Sequence, residues 1–171
     1  MSTTSQIFIL NGSPTAGKNT FVEMLPCETA HYSYVDFTRE ILNVAGIPVG
    51  TKTNDIRVLL ETVNNALESY NDIPFKDCCK VIIDFLEGKY DDCELLFIDV
   101  RKPENIERFR SRFNGIRTVY VDNKKPISSV TESDSQVADY EYDFYIDNSG
   151  SLEDLQKEVD RFITEIRGDN F

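Results

Sequence analysis

The sequence predicts an α/β fold in which helices cover both faces of a mainly parallel, five-stranded sheet, in three layers. Short apolar runs alternate along the chain with segments of helical periodicity. The first run, residues 6–10, is almost continuously apolar, as in a strand buried on both faces, and a glycine-containing loop follows it directly. The length of 171 residues suits one compact domain.

The first half of the chain contains two strands and then consecutive helices. After the strand over residues 6–10, a second strand is predicted over residues 31–35. Apolar residues at helical spacing predict helices over residues 19–25, 36–45, 54–70 and 75–86. Pro26 ends the first of these helices and Gly46 the second. Residues 36–90 therefore form one large helical insertion.

The second half of the chain alternates again between strand and helix. Strands are predicted over residues 94–100, 118–121 and 143–146. Pro103 opens a helix that continues to about residue 113, and an amphipathic helix closes the chain over residues 152–166. Five strands separated by helices give a mainly parallel sheet, with ligands expected beyond the carboxyl ends of its strands.

The chain is acidic, with a formal net charge of -12. No basic face opposes this charge, so we expect no nucleic-acid partner. No run approaches the roughly 20 apolar residues of a membrane span, and no signal-peptide pattern opens the chain, so we expect a cytoplasmic protein without a membrane partner, as a monomer or homodimer. A small anionic ligand is compatible with this composition, because a few cationic side chains and backbone amides can form a local positive site.

The loop after the first strand reads Gly-Ser-Pro-Thr-Ala-Gly-Lys and fits a phosphate-binding P-loop. Its glycines let the backbone curl, so that amide groups converge on phosphate oxygens, while Lys18 bridges the terminal phosphates. The P-loop pattern has Ser or Thr after this lysine, whereas this chain has Asn19, whose amide oxygen can reach Mg²⁺ directly or through water. The predicted residues of the nucleotide site here are Gly12, Ser13, Thr15, Ala16, Gly17, Lys18, Asn19 and Thr20.

The third predicted strand carries the second group of functional residues at its end. Asp99 can organise the water ligands of Mg²⁺ or accept a proton from the acceptor, and Arg101 can clamp a phosphate. The alternative is that Asp99 caps the next helix and Arg101 is solvated. We predict Lys18, Asp99 and Arg101 as catalytic residues, and Asn19 and Asp99 as the residues of the metal site.

Both motifs resemble those of P-loop nucleoside monophosphate kinases. Residues 17–20, Gly-Lys-Asn-Thr, are similar to the Gly-Lys-x-Thr ending of that family's loop, and residues 99–103, Asp-Val-Arg-Lys-Pro, resemble a segment of phage-type deoxynucleoside monophosphate kinases. Adenylate kinases and dephospho-coenzyme A kinases are more distantly similar. The resemblance implies the three-layer P-loop NTPase fold, ATP as the donor, Mg²⁺ held largely through nucleotide and water, and a phosphate contact from Thr20.

The resemblance extends to the C-terminal turn and to the inserted helices. The turn after residue 147 is similar to one that borders adenine in these kinases, which implies base contacts from Asn148 and Gly150; the alternative is a plain turn before a helix. The match across the insertion is looser. It implies an acceptor nucleotide held by Asp36, Arg39, Arg57 and Arg101, whereas solvated surface positions are the alternative for Arg39 and Arg57.

The lid is the largest departure from the resemblance. These kinases place arginines after the fourth strand, where this chain has Asp-Asn-Lys-Lys at residues 122–125. We expect a lid-like loop over residues 122–135 that either differs from theirs or takes its arginine from Arg108, Arg112 or Arg117. His31, the only histidine, is assigned no role.

The sequence thus predicts an ATP-dependent, Mg²⁺-assisted kinase whose acceptor is a small nucleotide, a nucleoside or deoxynucleoside monophosphate. Because one fold serves many acceptors, a kinase for another metabolite, such as dephospho-coenzyme A, is an alternative. A non-catalytic nucleotide-binding regulatory protein is the other alternative, and Asn19, the missing lid arginines and the acidic composition favour it.

Overall fold

A computed structural model of the chain describes residues 5–51, 53–125, 137 and 140–168. Most of the expected lid-like loop over residues 122–135 lies outside these described residues, because only its first four residues fall within them. No helix in the described part of the chain is both long and apolar enough to cross a membrane.

All of the predicted strands and helices are present. The strands are β1 Gln6–Gly12, β2 Thr29–Ser33, β3 Leu95–Asp99, β4 Arg117–Asp122 and β5 Phe144–Asp147. The helices are α1 Lys18–Glu23, α2 Asp36–Val44, α3 Asn54–Asn71, α4 Ile73–Leu86, α5 Pro103–Arg112 and α6 Leu152–Gly168. β2 lies two residues earlier than predicted, because its pairing with β3 ends where Ser33 faces Asp99 and the chain then turns into α2.

The five strands form one sheet in the order β2-β3-β1-β4-β5, and every neighbouring pair is parallel. β1 is the central strand: Gln6 pairs with Leu95 of β3, and Phe8 pairs with Arg117 of β4. The predicted α/β class is confirmed. Because all strands run in the same direction, their carboxyl ends meet at one edge of the sheet, and this edge carries the P-loop segment that follows Gly12.

Helices cover both faces of this sheet, as predicted. Alternate residues of β1 point to opposite sides: Ile7 and Ile9 belong to a core with α4 and α5, whereas Phe8 and Leu10 belong to a core with α1 and α6. Burying each large side chain in these cores contributes about 1.5 to 3 kcal/mol. The helices of the predicted insertion over residues 36–90 therefore have different places in the fold. α4 forms part of the core, whereas α2 and α3 lie at the carboxyl edge of the sheet.

Candidate active site

The P-loop segment is a tight turn that only glycine permits at its two ends. Gly12 has a φ of 149° and Gly17 a φ of 91°, both in the region that side chains disfavour. A Cβ atom on Gly12 would lie 2.4 Å from the carbonyl oxygen of Val121, on the neighbouring strand β4. The loop is thus pressed against the sheet, and its central residues project at the carboxyl edge.

Replacing Gly12 with alanine is expected to lower the free energy of unfolding by about 3 kcal/mol, since both the backbone conformation and the contact with a fixed carbonyl oxygen become strained. Gly88→Ala is the matched control: Gly88 also has a positive φ, of 73°, but open space around it. We expect this control to cost about 1 kcal/mol. Urea unfolding measures both, and equal losses would contradict a steric role for Val121.

Lys18 folds back over the loop. Its Nζ atom donates hydrogen bonds to the carbonyl oxygens of Gly12 at 3.0 Å and Ser13 at 3.5 Å. α1 begins at Lys18 after Gly17, and no side chain caps this end of the helix. The ammonium group of Lys18 lies over the loop, and the first amides of α1 follow directly at the end of that loop. Both can donate hydrogen bonds to the oxygens of a phosphate bound there.

Asparagine side chains hold the loop in this shape. Asn11 Oδ1 accepts a hydrogen bond from the amide of Gly12 at 2.9 Å, and its Nδ2 donates to the carbonyl oxygen of Arg101 at 3.2 Å. Asn123 Nδ2 donates to the carbonyl oxygen of Thr15 at 3.2 Å, and Asn148 Nδ2 donates to that of Ala16 at 2.8 Å. Sequence reasoning missed the roles of Asn11 and Asn123, because strand-end asparagines are common and their partners are distant in the chain.

The C-terminal turn lies beside the loop rather than in the cleft described next. Asn148 contacts the loop backbone, and a Cβ atom on Gly17 would lie 2.2 Å from its Nδ2 atom. Gly150 packs against Asp154 at the start of α6. Neither Asn148 nor Gly150 lines the cleft, so their predicted base contacts stay predictions, whereas the contact that positions the loop is present.

A cleft of about 670 Å³ opens at the carboxyl edge of the sheet. The P-loop, the ends of β2 and β3, and helices α2 and α3 line it. The structure brings most of the predicted site residues to this one cleft: Thr15, Ala16, Gly17, Lys18, Asn19, Thr20, Asp36, Arg39, Arg57, Asp99 and Arg101. Gly12 and Ser13 belong to the same loop but are buried and do not line the cleft.

Positive charge accumulates in this cleft despite the acidic composition of the chain. Five cationic side chains line it, against three carboxylates: Lys18, Arg39, Arg57, Arg101 and Lys102 against Asp36, Glu61 and Asp99. Burial lowers the pKa of Arg101, the nearby carboxylate of Asp99 opposes this shift, and the like charges of Arg57 and Arg39 add to it. Arg57 and Arg39 thus lie close enough to Arg101 to repel it, an arrangement that an anionic ligand would relieve.

Asp36 orients one of these arginines. One of its carboxylate oxygens accepts a hydrogen bond from the amide of Ser33 at 2.7 Å, and the other accepts one from Arg39 Nη1 at 2.6 Å. Asp36 stands in the first turn of α2, so this pair joins the end of β2 to the helix. Each of its carboxylate oxygens thus has a partner within the protein, which favours a positioning role over direct contact with a ligand.

His31, which sequence reasoning left without a role, lies in the cleft beside Asp99. Its Nε2 atom is 3.1 Å from Asp99 Oδ1. Burial lowers the pKa of His31, but the hydrogen bond and charge of Asp99, together with the charge of Asp36, outweigh it and raise the pKa above its ordinary value. The pairing of β2 with β3 creates this contact, and nothing in the local sequence reveals that pairing.

The donor set suits a metal ion that is held mainly by other groups. No cluster of three or more His, Cys, Asp or Glu side chains that could hold a metal occurs within the described residues. Asn19 and Asp99 both line the cleft and offer the oxygen ligands that Mg²⁺ prefers. They fit an ion that phosphates and water would largely coordinate, as the resemblance implies.

The three alternative sources of a lid arginine lie away from the cleft. Arg108 stacks over the ring of Phe75, 3.8 Å from its centroid, and also binds Asp72. Arg117 begins β4, at the opposite end of the sheet, where it lies over the ring of Phe8. Arg112 is exposed on α5. The structure therefore does not support a lid arginine from these positions.

A partly buried hydrogen-bond network around Glu68 joins α3 to the chain just after β2, to α5 and to the segment before α5. Glu68 Oε1 accepts hydrogen bonds from the Tyr34 hydroxyl at 2.8 Å and Asn105 Nδ2 at 2.9 Å, and Glu68 Oε2 accepts one from Lys102 Nζ at 3.2 Å. Burial raises the pKa of Glu68, but these hydrogen bonds and the charge of Lys102 outweigh it and lower the pKa below its ordinary value. The folded state therefore favours the carboxylate.

Replacing Glu68 with glutamine is expected to lower the free energy of unfolding at pH 7 by about 1 to 2 kcal/mol, because an amide nitrogen then faces the Lys102 ammonium group. Because the pKa of Glu68 is lower in the folded state, its negative charge stabilises the folded state in full at pH values above the ordinary pKa of glutamate, about 4.3. This stabilisation disappears as the pH falls through the lower pKa of the folded state. The difference between wild type and variant should thus shrink below about pH 4.5. A pH-independent difference in urea unfolding would contradict this role.

Comparison with known proteins identifies the fold. No protein-family model matches the sequence, and no curated protein matches it. A solved structure of TT1252 from Thermus thermophilus is 16% identical, with a TM-score of 0.52 over 95% of this chain and 98% of that chain. A dephospho-CoA kinase from Campylobacter jejuni is 16% identical, with a TM-score of 0.52 over 95% of this chain and 97% of that chain.

A third solved structure, the shikimate kinase from Aquifex aeolicus vf5, is 12% identical and covers 96% of this chain and 98% of its own, with a TM-score of 0.49. At these identities the comparisons concern the fold. The chain has the α/β P-loop fold, with its predicted phosphate-binding loop at the end of the central parallel strand.

Proposed function

We propose that this protein is an ATP-dependent kinase that transfers the γ-phosphoryl group, with the help of Mg²⁺, to a nucleoside or deoxynucleoside monophosphate. The observation that carries the proposal is the shared cleft, in which the P-loop with Lys18 and the arginines Arg39, Arg57 and Arg101 line the same 670 Å³. Transfer between two phosphates requires two anions to approach each other, and converging cations stabilise that approach.

The residues divide between donor and acceptor. Lys18 and the loop amides hold the donor phosphates, while Arg39 and Arg57, on α2 and α3, hold the acceptor phosphate. As an oxygen of the acceptor phosphate bonds to the γ-phosphorus, the bond to the β,γ-bridging oxygen breaks, and Arg101 stabilises the charge on the transferring group. Mg²⁺, when bound, neutralises charge on the donor phosphates, and Asn19 and Asp99 are the residues that would hold it or its water ligands. No covalent intermediate with the protein is needed.

Acceptor-stimulated release of ADP tests the proposal. In a coupled assay with ATP and Mg²⁺, we expect turnover with at least one nucleoside or deoxynucleoside monophosphate. Dephospho-coenzyme A belongs in the same panel, because the dephospho-CoA kinase from Campylobacter jejuni shares the fold. Turnover with dephospho-coenzyme A but with none of the nucleotides would overturn the proposed acceptor. Tight ATP binding without any stimulated ADP release would instead favour a regulatory nucleotide-binding protein.

A further inference from the structure

The side chain of Asn11 bridges the P-loop and the chain that leaves β3. Asn11 precedes Gly12 on β1 and is only 1% exposed. Its Oδ1 atom accepts a hydrogen bond from the amide of Gly12 at 2.9 Å, and its Nδ2 atom donates one to the carbonyl oxygen of Arg101 at 3.2 Å. One buried amide thus contacts the backbone of the proposed donor loop and the backbone of an arginine that the proposed reaction uses.

The two backbone partners fix the orientation of this amide. The N–H group of Gly12 can only donate a hydrogen bond, and the carbonyl oxygen of Arg101 can only accept one. Exchanging the oxygen and nitrogen atoms of Asn11 would place donor against donor and acceptor against acceptor, which is unfavourable in a buried position. The bridge therefore exists in one arrangement.

The bridge lies where the pairing of β1 with β3 ends. The paired residues of these strands run as far as Leu10 and Asp99, and the amide of Val100 still donates to the carbonyl oxygen of Leu10 at 3.3 Å. The chain then turns away from the sheet and enters α5. The hydrogen bond from Asn11 to Arg101 extends the connection between the two strands at the point where the cleft opens.

Each end of the bridge leads to a cation of the cleft. The carbonyl oxygen of Gly12 accepts a hydrogen bond from Lys18 Nζ at 3.0 Å, so Gly12 contacts the lysine that would hold the donor phosphates. Arg101 lines the cleft and would stabilise the transferring group. Transfer is sensitive to the spacing of these groups, because the reacting atoms must approach to about 3 to 3.5 Å in the correct alignment.

Resting on the proposed function, we propose that Asn11 is a positioning residue, which fixes the spacing between the P-loop and Arg101 and thereby the rate of phosphoryl transfer. Asn11 does not line the cleft, so it acts through Gly12 and Arg101 rather than on a substrate. Loss of the bridge leaves each substrate its own contacts but lets the backbone of Arg101 shift relative to the loop. A displacement of about 1 Å is enough to slow such a reaction about 10²-fold.

Asn11→Leu tests this role, because leucine has a similar size and no hydrogen-bonding group. We expect kcat to fall about 10²-fold, whereas the KM values for ATP and for the acceptor stay within about 3-fold of wild type. Asn11→Ser should change kcat in the same direction, because a serine hydroxyl is too short to bridge both partners. This smaller substitution decides the question if Asn11→Leu does not fold. A rise in either KM without a fall in kcat would overturn the inference.

Thr118→Val is the control for a loss of stability. The Thr118 side chain is also wholly buried, and its hydroxyl donates to Asp143 at 2.9 Å, away from the cleft. Thermal unfolding should show that this variant is less stable than wild type, and its kcat should be unchanged while it is folded. An equal fall in kcat in Thr118→Val and in the Asn11 variants would overturn the inference.

A double-mutant cycle with Arg101→Lys tests whether Asn11 acts through Arg101. The variant that combines Asn11→Ser with Arg101→Lys should be little slower than the slower single variant, because both changes disturb the same guanidinium group. Losses in kcat that multiply would overturn the inference. Unchanged kcat in both Asn11 variants would also overturn it and leave the proposed kinase activity intact, whereas a wild-type protein that turns over no acceptor would overturn both.

Discussion

Replacing Lys18 with methionine is expected to lower the kcat/KM of phosphoryl transfer by about 10³-fold or more. Methionine keeps much of the length of the side chain but removes the ammonium group, which lies within 3.0 Å of the loop carbonyl oxygen of Gly12. No other lysine belongs to the P-loop, so the charge beside the donor phosphates has no substitute there. ATP affinity, measured by isothermal titration calorimetry, should fall together with the rate.

Lys157→Met provides the control for this experiment. Lys157 is exposed on α6 and pairs with Asp154 at 2.8 Å, on a surface that does not line the cleft. This variant should bind ATP and turn over as the wild type does, and thermal unfolding should show that both variants fold. Unchanged ATP affinity in Lys18→Met would contradict the assignment of the loop as the donor site.

Replacing Arg101 with lysine is expected to lower kcat/KM for the acceptor by about 10²-fold while ATP affinity stays within about 2-fold of wild type. The substitution keeps one positive charge but removes the planar pair of donors that can bind two phosphate oxygens at once. Burial and the like charges of Arg57 and Arg39 all lower the pKa of Arg101, so Arg101 lies where the cationic side chains of the cleft come together. Its effect should therefore be on transfer rather than on donor binding.

The matched control is Arg167→Lys. Arg167 lies exposed on α6, where its nearest ion-pair contact is with Glu94 at 3.8 Å, and it should tolerate lysine without loss of rate. Initial rates at varied acceptor and fixed saturating ATP measure the effect. If Arg101→Lys weakened ATP binding as much as it slowed transfer, Arg101 would belong to the donor site instead.

Local sequence patterns were sufficient to predict the elements of the fold. An apolar run, a glycine turn or a helical period is contained in a few neighbouring residues, and the P-loop combines all three between β1 and α1. The burial of β1 on both faces of the sheet also followed from such a pattern, because a strand of this kind is apolar at nearly every position.

Contacts between distant segments account for what could not be predicted. His31 reaches Asp99 only because β2 lies beside β3, and Asn123 reaches the P-loop only because β4 lies beside β1. Asn64 is a polar residue on α3, and the sequence gives no sign that its Oδ1 atom accepts a hydrogen bond from the Thr38 hydroxyl on α2. The base contact that the resemblance implies for Asn148 stays a prediction, and the hydrogen bond from its Nδ2 atom to the carbonyl oxygen of Ala16 is a further contact that the sequence does not reveal.

The sheet order also determines when this protein can begin to fold during translation. β1 is synthesised first but has no neighbour in the sheet until β3 and β4 exist, since Gln6 pairs with Leu95 and Phe8 with Arg117. At about 5 to 20 residues per second, a ribosome needs roughly 5 to 20 seconds to add the intervening residues. The apolar central strand lacks both partners until β3 emerges and lacks its second partner until β4 emerges, so its side chains are open to aggregation for most of that interval.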